Sequence, residues 1–237
     1  MPSESDEGLT EFFNRVRSME KVFINWSDTQ YLLAKGCVNT ILCDDPHIRT
    51  AFTRNTVFQT LESGKSIVYI DLDTMFTISL EYEGLQTPHL DNLVITNPDD
   101  GNIDRVIAEV SSLENPQLGL VVFDSVTTFY HIFPSKVDYG ELNRRLGIYL
   151  FLLKKLAIGL KTPILIVSLL RAKKTSSKRS WVYSYSGGRV LERMSDVILT
   201  LSRTDDLVEI KSLKHRNKIL EGKAFIIPLK SLNGEYE

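Results

Sequence analysis

The stretch "LGLVVFDSVTTFY", residues 118 to 130, decides the fold prediction for this chain. Its first six residues are glycine or apolar, which is typical of a strand that is buried on both faces of a parallel sheet. Asp124 follows at once, and the carboxyl ends of parallel strands face the crevice in which ligands bind. Many buried strands end in aspartate, so Asp124 alone does not establish a site.

Segments of the same kind lie on both sides of this stretch. Short apolar runs predict strands at residues 38–43, 66–70, 93–96 and 163–169. Helical periodicity predicts helices at residues 50–63, 102–113 and 140–160. Strands that alternate with helices predict an α/β fold with a mainly parallel central sheet flanked by helices. Later strands at residues 196–201, 207–212 and 223–229 have no helix between them, which predicts antiparallel strands at the C-terminal edge.

The composition is that of an ordinary globular chain. It has 237 residues, 43% of them hydrophobic, and a net charge of −2, which is enough for one sizeable core. The beginning, "MPSESDEGLTEFF", is acidic and lacks the pattern of a signal peptide. No apolar run is long enough to span a bilayer. We predict an acidic tail and helix at residues 1–25, one domain at residues 26–237, and a cytoplasmic or nucleoid-associated protein with no membrane partner.

The order of the later segments carries a resemblance. In nucleoside triphosphatases, a buried strand that ends in aspartate is the Walker B element. Here it is followed by a helix that starts "ELNRRLG", by the strand "TPILIVSLLR" and by "GGRVLERMSDVILTLSR". In order and spacing these segments resemble the RecA superfamily, in particular the archaeal RadA and RadB recombinases and the KaiC-like ATPases. The resemblance covers about residues 30 to 230 and implies a RecA-like core.

The resemblance places the phosphate-binding Walker A loop at residues 43–50, "CDDPHIRT". The functional pattern is G-x-x-x-x-G-K-[ST]. Cys43 and Ile48 stand where glycine is needed, Arg49 replaces the lysine, and Thr50 matches. The sequence therefore predicts a degenerate Walker A loop.

The chemistry of the same loop also argues against nucleotide binding. A phosphate loop needs backbone N–H groups that converge on the anion, and Pro46 removes one of these donors. Asp44 and Asp45 would repel a triphosphate. We expect the two aspartates to cap the following helix electrostatically, and we expect no bound cofactor, with ATP and magnesium as the alternative.

At two positions where the RecA-like site has an acidic residue, this chain also has an acidic residue. In "YIDLDTMF", Asp73 stands at the place of the glutamate that activates water, and Asp124 stands at the Walker B position. Ser168 and Leu169 stand at the pair that senses the γ-phosphate, so half of this pair is apolar. We interpret Asp73 and Asp124 as vestigial, retained as strand-end caps or hydrogen-bond partners. The four histidines are scattered, so we predict neither a Ser-His-Asp triad nor a metal site.

The segment "RAKKTSSKRSWVYSYSGG", residues 171 to 188, resembles in position the second DNA-binding loop of the superfamily. Lysine and arginine neutralise phosphates, and aromatic faces stack on unpaired bases. The region from Arg171 to Lys223 carries 13 lysines and arginines against 6 acidic residues, while the rest of the chain carries −9. The alternative is an ordinary solvated basic loop. The candidate DNA-binding residues are Arg171, Lys173, Lys174, Lys178, Arg179, Trp181, Tyr183 and Tyr185.

Three functions are consistent with these features. The first is a non-catalytic recombinase paralogue that binds single-stranded DNA and assists homologous recombination or repair. Its expected partners are single-stranded DNA and a catalytic RadA-type recombinase or another paralogue, in a homo- or hetero-oligomer. The second is a pseudo-ATPase that serves as a scaffold or interaction subunit without nucleic-acid binding. The third is an ATPase with an unconventional phosphate loop.

Overall fold

The chain is described by a computed structural model over residues 12–13, 16–17, 19–83, 89–133, 137–174 and 181–229. These residues form a ten-stranded sheet with helices on both faces. The strands are β1 (Lys21–Phe23), β2 (Val38–Cys43), β3 (Ser66–Asp71), β4 (Leu93–Thr96), β5 (Leu118–Asp124), β6 (Ile164–Lys174), β7 (Trp181–Tyr185), β8 (Val197–Thr204), β9 (Leu207–Lys214) and β10 (Ala224–Pro228). The α-helices are α1 (Pro46–Glu62), α2 (Met75–Glu83), α3 (Ile103–Ser111), α4 (Val126–Ile132), α5 (Tyr139–Leu160) and α6 (Gly188–Met194). Two 3₁₀ helices lie at Trp26–Leu32 and Leu90–Asn92.

The sheet has the strand order β1-β10-β9-β8-β2-β6-β5-β3-β4, and β7 pairs with β6 beside this path. The six strands from β8 to β4 run parallel to one another. β9 runs antiparallel to both of its neighbours, β8 and β10. The predicted α/β class, the mainly parallel sheet and the antiparallel C-terminal strands are therefore confirmed.

Each face of the sheet has its own hydrophobic core. On one face, α1, α2 and the N-terminal residues cover side chains of the central strands. On the other face, α3, α4, α5 and α6 cover the alternate side chains of the same strands. The two faces are buried because successive side chains of a strand point in opposite directions. The carboxyl ends of β2, β3, β5 and β6 consequently meet at one edge of the sheet, between the two layers of helices.

Several details differ from the sequence predictions. α1 begins at Pro46, four residues before the predicted start, because Asp45 caps it. The short helices α2, α4 and α6 were not predicted, because α4 and α6 have only seven residues each and α2 has no clear apolar period. β1 lies within the segment predicted as tail and helix, where parallel pairing with β10 outweighs the local helical pattern.

The basic segment also differs from the predicted loop. β6 continues to Lys174, and β7 returns antiparallel to it, so that much of this segment is a β-hairpin. Among the described residues, none of the helices combines the length and hydrophobicity that a membrane span requires.

Candidate functional site at the carboxyl ends of the strands

The turn between β2 and α1 is closed by its own aspartate. Asp45 Oδ1 accepts hydrogen bonds from the backbone N–H groups of His47 (2.8 Å) and Ile48 (3.2 Å). The Cys43 thiol donates to the Asp45 carbonyl at 3.1 Å. Asp45 thus satisfies donors that a helix N-terminus otherwise leaves free, and its negative charge suits the positive end of the helix dipole. The expected capping role is confirmed for Asp45, whereas Asp44 is exposed.

Arg49 lies in the first turn of α1 and turns inward, with 4% of its side chain exposed. Its Nη1 donates to Asp73 Oδ2 at 2.9 Å and lies 3.4 Å from Asp124 Oδ1. Asp73 follows β3 and Asp124 ends β5, so the guanidinium connects two adjacent strand ends. The three residues predicted separately from the sequence therefore form one buried ion cluster.

The second oxygen of Asp124 also has a partner. Tyr69, on β3, donates from its hydroxyl to Asp124 Oδ2 at 2.7 Å, and its ring stacks on Phe76 with centroids 3.9 Å apart. Tyr69 was not predicted as a site residue, because a tyrosine within the run "SIVYI" is typical of a buried strand. The available signal is that a buried tyrosine hydroxyl usually requires a hydrogen-bond partner.

Burial dominates the electrostatics of this cluster. It raises the pKa of Asp124 to about 7, although the Arg49 charge opposes the shift. It also raises the pKa of Tyr69, and the negative charge of Asp124 adds to that effect. For Arg49, burial lowers the pKa, but Asp124 and Asp73 together outweigh it, so the net shift is upward. The guanidinium therefore stays charged beside its two carboxylates.

A further buried carboxylate, Asp71, ends β3 beside this cluster. Its Oδ2 accepts from the backbone N–H of Thr77 (2.8 Å) and from the Thr77 hydroxyl (2.7 Å). Burial raises the pKa of Asp71. Asp71 Oδ1 and Arg49 Nε are buried atoms without a hydrogen-bond partner. Asp71 was not among the predicted site residues, since Asp73 fitted the motif and Asp71 did not.

The remaining candidate residues of the phosphate site form hydrogen bonds with other groups of the protein. The Thr50 hydroxyl donates to the Pro46 carbonyl (2.9 Å), one turn earlier in α1. The Ser168 hydroxyl donates to the Ser186 carbonyl (3.2 Å), and the backbone N–H of Leu169 donates to Thr127 Oγ1 (3.0 Å). Within the described ranges, no group of three or more histidine, cysteine or acidic side chains has the arrangement of a metal site.

The basic hairpin is described mainly through its backbone. Lys174 is paired with Trp181, and Ala172 with Tyr183, along β6 and β7. Lys178 and Arg179 lie outside the described residues, and the side chains of Arg171, Lys173, Lys174, Trp181 and Tyr183 are not described. Tyr185 is partly buried against the core that α5 covers, and this burial raises its pKa. Six of the eight candidates therefore lie on the paired strands β6 and β7, and Tyr185 lies at the base of this hairpin.

The chain was compared with known proteins. No family model matches it. A "DNA repair and recombination protein RadB" of Methanococcus maripaludis strain C7 is 26% identical over 168 residues, which cover 68% of this chain and 74% of that protein. The corresponding protein of strain C5 is 26% identical over 169 residues with the same coverage. A crystal structure of a RadB recombinase matches with a TM-score of 0.64 and 20% identity, over 84% of this chain and 90% of the other.

The order of the strands and the helices on both faces of the sheet are those of a RecA-like fold. The similarities described above agree with the resemblance found in the sequence. Among proteins with this fold, the chain is similar to the RadB proteins and is RadA/RadB-like.

Proposed function

We propose that this chain is a non-catalytic RecA-family paralogue that binds single-stranded DNA and assists homologous recombination and DNA repair in the cytoplasm. The observation that carries the proposal is the Arg49 guanidinium, which is bonded to Asp73 and lies against Asp124. A side chain of the protein thus satisfies the two carboxylates that would otherwise orient water and magnesium.

The residues present do not fit a nucleoside triphosphate with magnesium. The N-terminal N–H groups of α1 that would hold phosphate donate to Asp45, which is itself negative. Pro46 contributes no donor. The Arg49 side chain is directed away from this turn, toward Asp73 and Asp124. A phosphate would have to displace a carboxylate from a helix N-terminus and also break a buried ion cluster.

The role in DNA metabolism rests on two supports. The relatives of this chain carry the name "DNA repair and recombination protein RadB". The backbone register of β6 and β7 pairs Lys174 with Trp181, and it pairs Arg171 with Ser184 and Lys173 with Val182. This hairpin surface thus has three basic and three aromatic residues on two adjacent strands. Such a surface offers phosphate neutralisation and base stacking without sequence reading.

Titration of a labelled oligonucleotide tests the DNA-binding part. We expect the affinity for single strands to fall steeply with salt, with a logarithmic slope of about −0.7 for each phosphate contacted. Replacing Lys173, Lys174, Lys178 and Arg179 by alanine is expected to lower the affinity by at least about tenfold and to flatten the slope. The matched control removes four exposed charges outside the hairpin, by alanine at Arg105, Arg144, Lys155 and Lys218.

The control variant should retain at least half of the wild-type affinity. A slope near zero, or equal effects of the two variants, would favour the scaffold or interaction subunit that binds no nucleic acid. The non-catalytic part is tested separately by calorimetry with ATP and magnesium, where we expect no binding tighter than about millimolar. Tighter binding that is lost on Asp124→Ala would instead support an ATPase with an unconventional loop.

A further inference from the structure

Helix α5 carries apolar side chains on both its inner and its outer face. Its inner face contributes Leu142, Leu146 and Leu153 to the core, and the helix packs between α3 and α6. Its outer face has Ile148, Phe151 and Ile158, with 51%, 56% and 61% of their surface exposed. Single exposed apolar residues are ordinary on a protein surface, but a contiguous set on one helix face marks an interaction site.

The spacing of the outer residues is that of a coiled-coil seam. Ile148, Phe151, Lys155 and Ile158 follow one another at intervals of three, four and three residues, and Arg144 precedes them by four. Residues at this spacing lie along one side of a helix and fit between the side chains of a second helix. We call these five residues the outer stripe. It has three apolar positions and two basic ones.

The charge along the outer stripe is of one sign. From Leu142 to Leu160, α5 contains four basic residues and no acidic one. Arg144 pairs with Glu141 at 2.9 Å, but 73% of its side chain remains exposed, so this surface pair leaves it available to a further partner. Lys155 is exposed, and no ion pair joins it to any other residue in the described part of the chain.

A second copy of the outer stripe brings two more cations and no acidic residue to this charge pattern. In antiparallel pairing centred between Ile148 and Phe151, the Arg144 of one copy faces the Lys155 of the other. In parallel pairing, each of these cations faces its own counterpart. Like charges that face each other across a helix seam oppose association. The stripe is therefore complementary to a different helix, one that has acidic residues at two seam positions.

We infer that the outer stripe of α5 docks an amphipathic helix of another protein. Apolar residues of that helix pack against Ile148, Phe151 and Ile158, and its carboxylates face Arg144 and Lys155. The docking mode is that of a helix whose anchors recur at intervals of three and four residues. This inference is independent of DNA and nucleotide binding, because it uses neither the hairpin nor the strand-end cluster.

A pair of synthetic peptides tests the chemistry of the outer stripe on the full chain. Each is a labelled helix of about three heptads with leucine at the positions that face the three apolar residues. One has glutamate, and the other has lysine, at the two positions that face Arg144 and Lys155. In fluorescence anisotropy we expect the glutamate peptide to bind at least about tenfold more tightly than the lysine peptide.

Three variants make the result specific. Phe151→Ser is expected to lower the affinity for the glutamate peptide by at least about tenfold. Leu213→Ser, at a 57% exposed leucine on β9, should leave this affinity unchanged. Lys155→Glu should reduce the preference for the glutamate peptide and improve binding of the lysine peptide. Circular dichroism confirms that each variant retains the fold.

Other results would overturn the inference. Equal binding of the two peptides, no binding of either, or equal effects of Phe151→Ser and Leu213→Ser would remove it. Sedimentation of the chain alone should show no self-association that depends on Phe151, since such dependence would make a second copy the occupant. Phe151-dependent pelleting with phosphatidylglycerol vesicles would make the occupant a lipid surface.

Discussion

At the scale of single residues, the most consequential side chain is Arg49. It lies almost completely buried between Asp73 and Asp124, and the Asp124 side chain is only 3% exposed. A buried ion pair adds little to stability compared with a well-packed apolar alternative. Removing one member of such a pair is costly, because the remaining charge is then buried without compensation. Arg49 is therefore expected to be necessary for folding, whatever its contribution to function.

Arg49→Met tests this expectation. The side chain is similar in length but uncharged, so Asp73 and Asp124 would face each other without a cation. We expect the free energy of unfolding in urea to fall by about 3–5 kcal/mol. The matched control is Arg105→Met, at a 71% exposed arginine that pairs with Glu109, and it should cost less than about 0.5 kcal/mol. Similar losses for the two variants would show that the buried cluster contributes no more to stability than an exposed ion pair does.

The pKa of Asp124 gives a prediction for pH dependence. Because burial raises it from 3.8 to about 7, the folded chain binds a proton more tightly than the unfolded chain does. The contribution of this group to stability is therefore fully present below about pH 4 and is lost as the pH rises through 7. Asp124→Asn has no such group, although it can still accept a hydrogen bond from Tyr69.

We expect the unfolding free energy of the wild type minus that of Asp124→Asn to decrease between about pH 4 and pH 7. The slope should reach at most about 1.4 kcal/mol per pH unit, and the difference should level off at higher pH. Urea unfolding at a series of pH values measures it. A difference that increases with pH would mean that the Arg49 charge, rather than burial, dominates the titration of Asp124.

The residues of this cluster were only partly predictable from the sequence. Arg49, Asp73 and Asp124 were each identified from a motif position, but a linear pattern does not state that one guanidinium reaches both carboxylates. Tyr69 and Asp71 were missed because their roles depend on neighbours from β5 and α2. Sequence patterns reveal the residue types that a site requires, and the contacts follow from the register of the strands.

At the scale of elements, helix α1 shows how one residue of a turn satisfies donors of a helix N-terminus from within the chain. The donors at its N-terminus bond to the protein's own carboxylate instead of an external anion. We expect Asp45→Ala to lower the free energy of unfolding by about 1 kcal/mol, which is the usual cost of losing such a cap. Asp44→Ala serves as the control.

Asp44 is adjacent and exposed, and it makes no described hydrogen bond to α1. Its replacement is expected to change stability by less than about 0.5 kcal/mol. Thermal unfolding of both variants at neutral pH measures the difference. Equal effects would indicate that general electrostatics at the helix dipole, and not the specific Asp45 hydrogen bonds, stabilise the start of α1.

The elements themselves were predicted well where periodicity is long or the apolar run is continuous. β2 and β4 have the predicted bounds, and α5 begins one residue early. The hairpin of β6 and β7 was missed, because its composition is typical of a basic loop and its second strand has no apolar alternation of sufficient length. The antiparallel pairing of β7 with β6 stabilises β7 as a strand, and local propensity alone does not predict this pairing.

At the scale of the whole molecule, the fold class followed from the alternation of elements, but the strand order did not. Periodicity carries no information about which strands pair across long distances in sequence. The clearest example is β1, whose parallel pairing joins Lys21 to Ala224 and Phe23 to Ile226. Phe12, farther toward the N-terminus, stacks on Phe225 of the same strand with centroids 6.2 Å apart. Two segments that are far apart in sequence therefore complete one edge of the sheet together.

This edge has a consequence for synthesis on the ribosome. β1 is translated long before its partner β10. Buried residues near β1, such as Val22 and Ile24, must therefore remain without their contacts to β10 while the intervening strands are made. A nascent or truncated chain without β10 leaves both β9 and β1 with unpaired backbone and apolar side chains, which invites aggregation and recognition by chaperones. Translation of β10 is thus the event that allows β1 and β9 to be joined in one sheet.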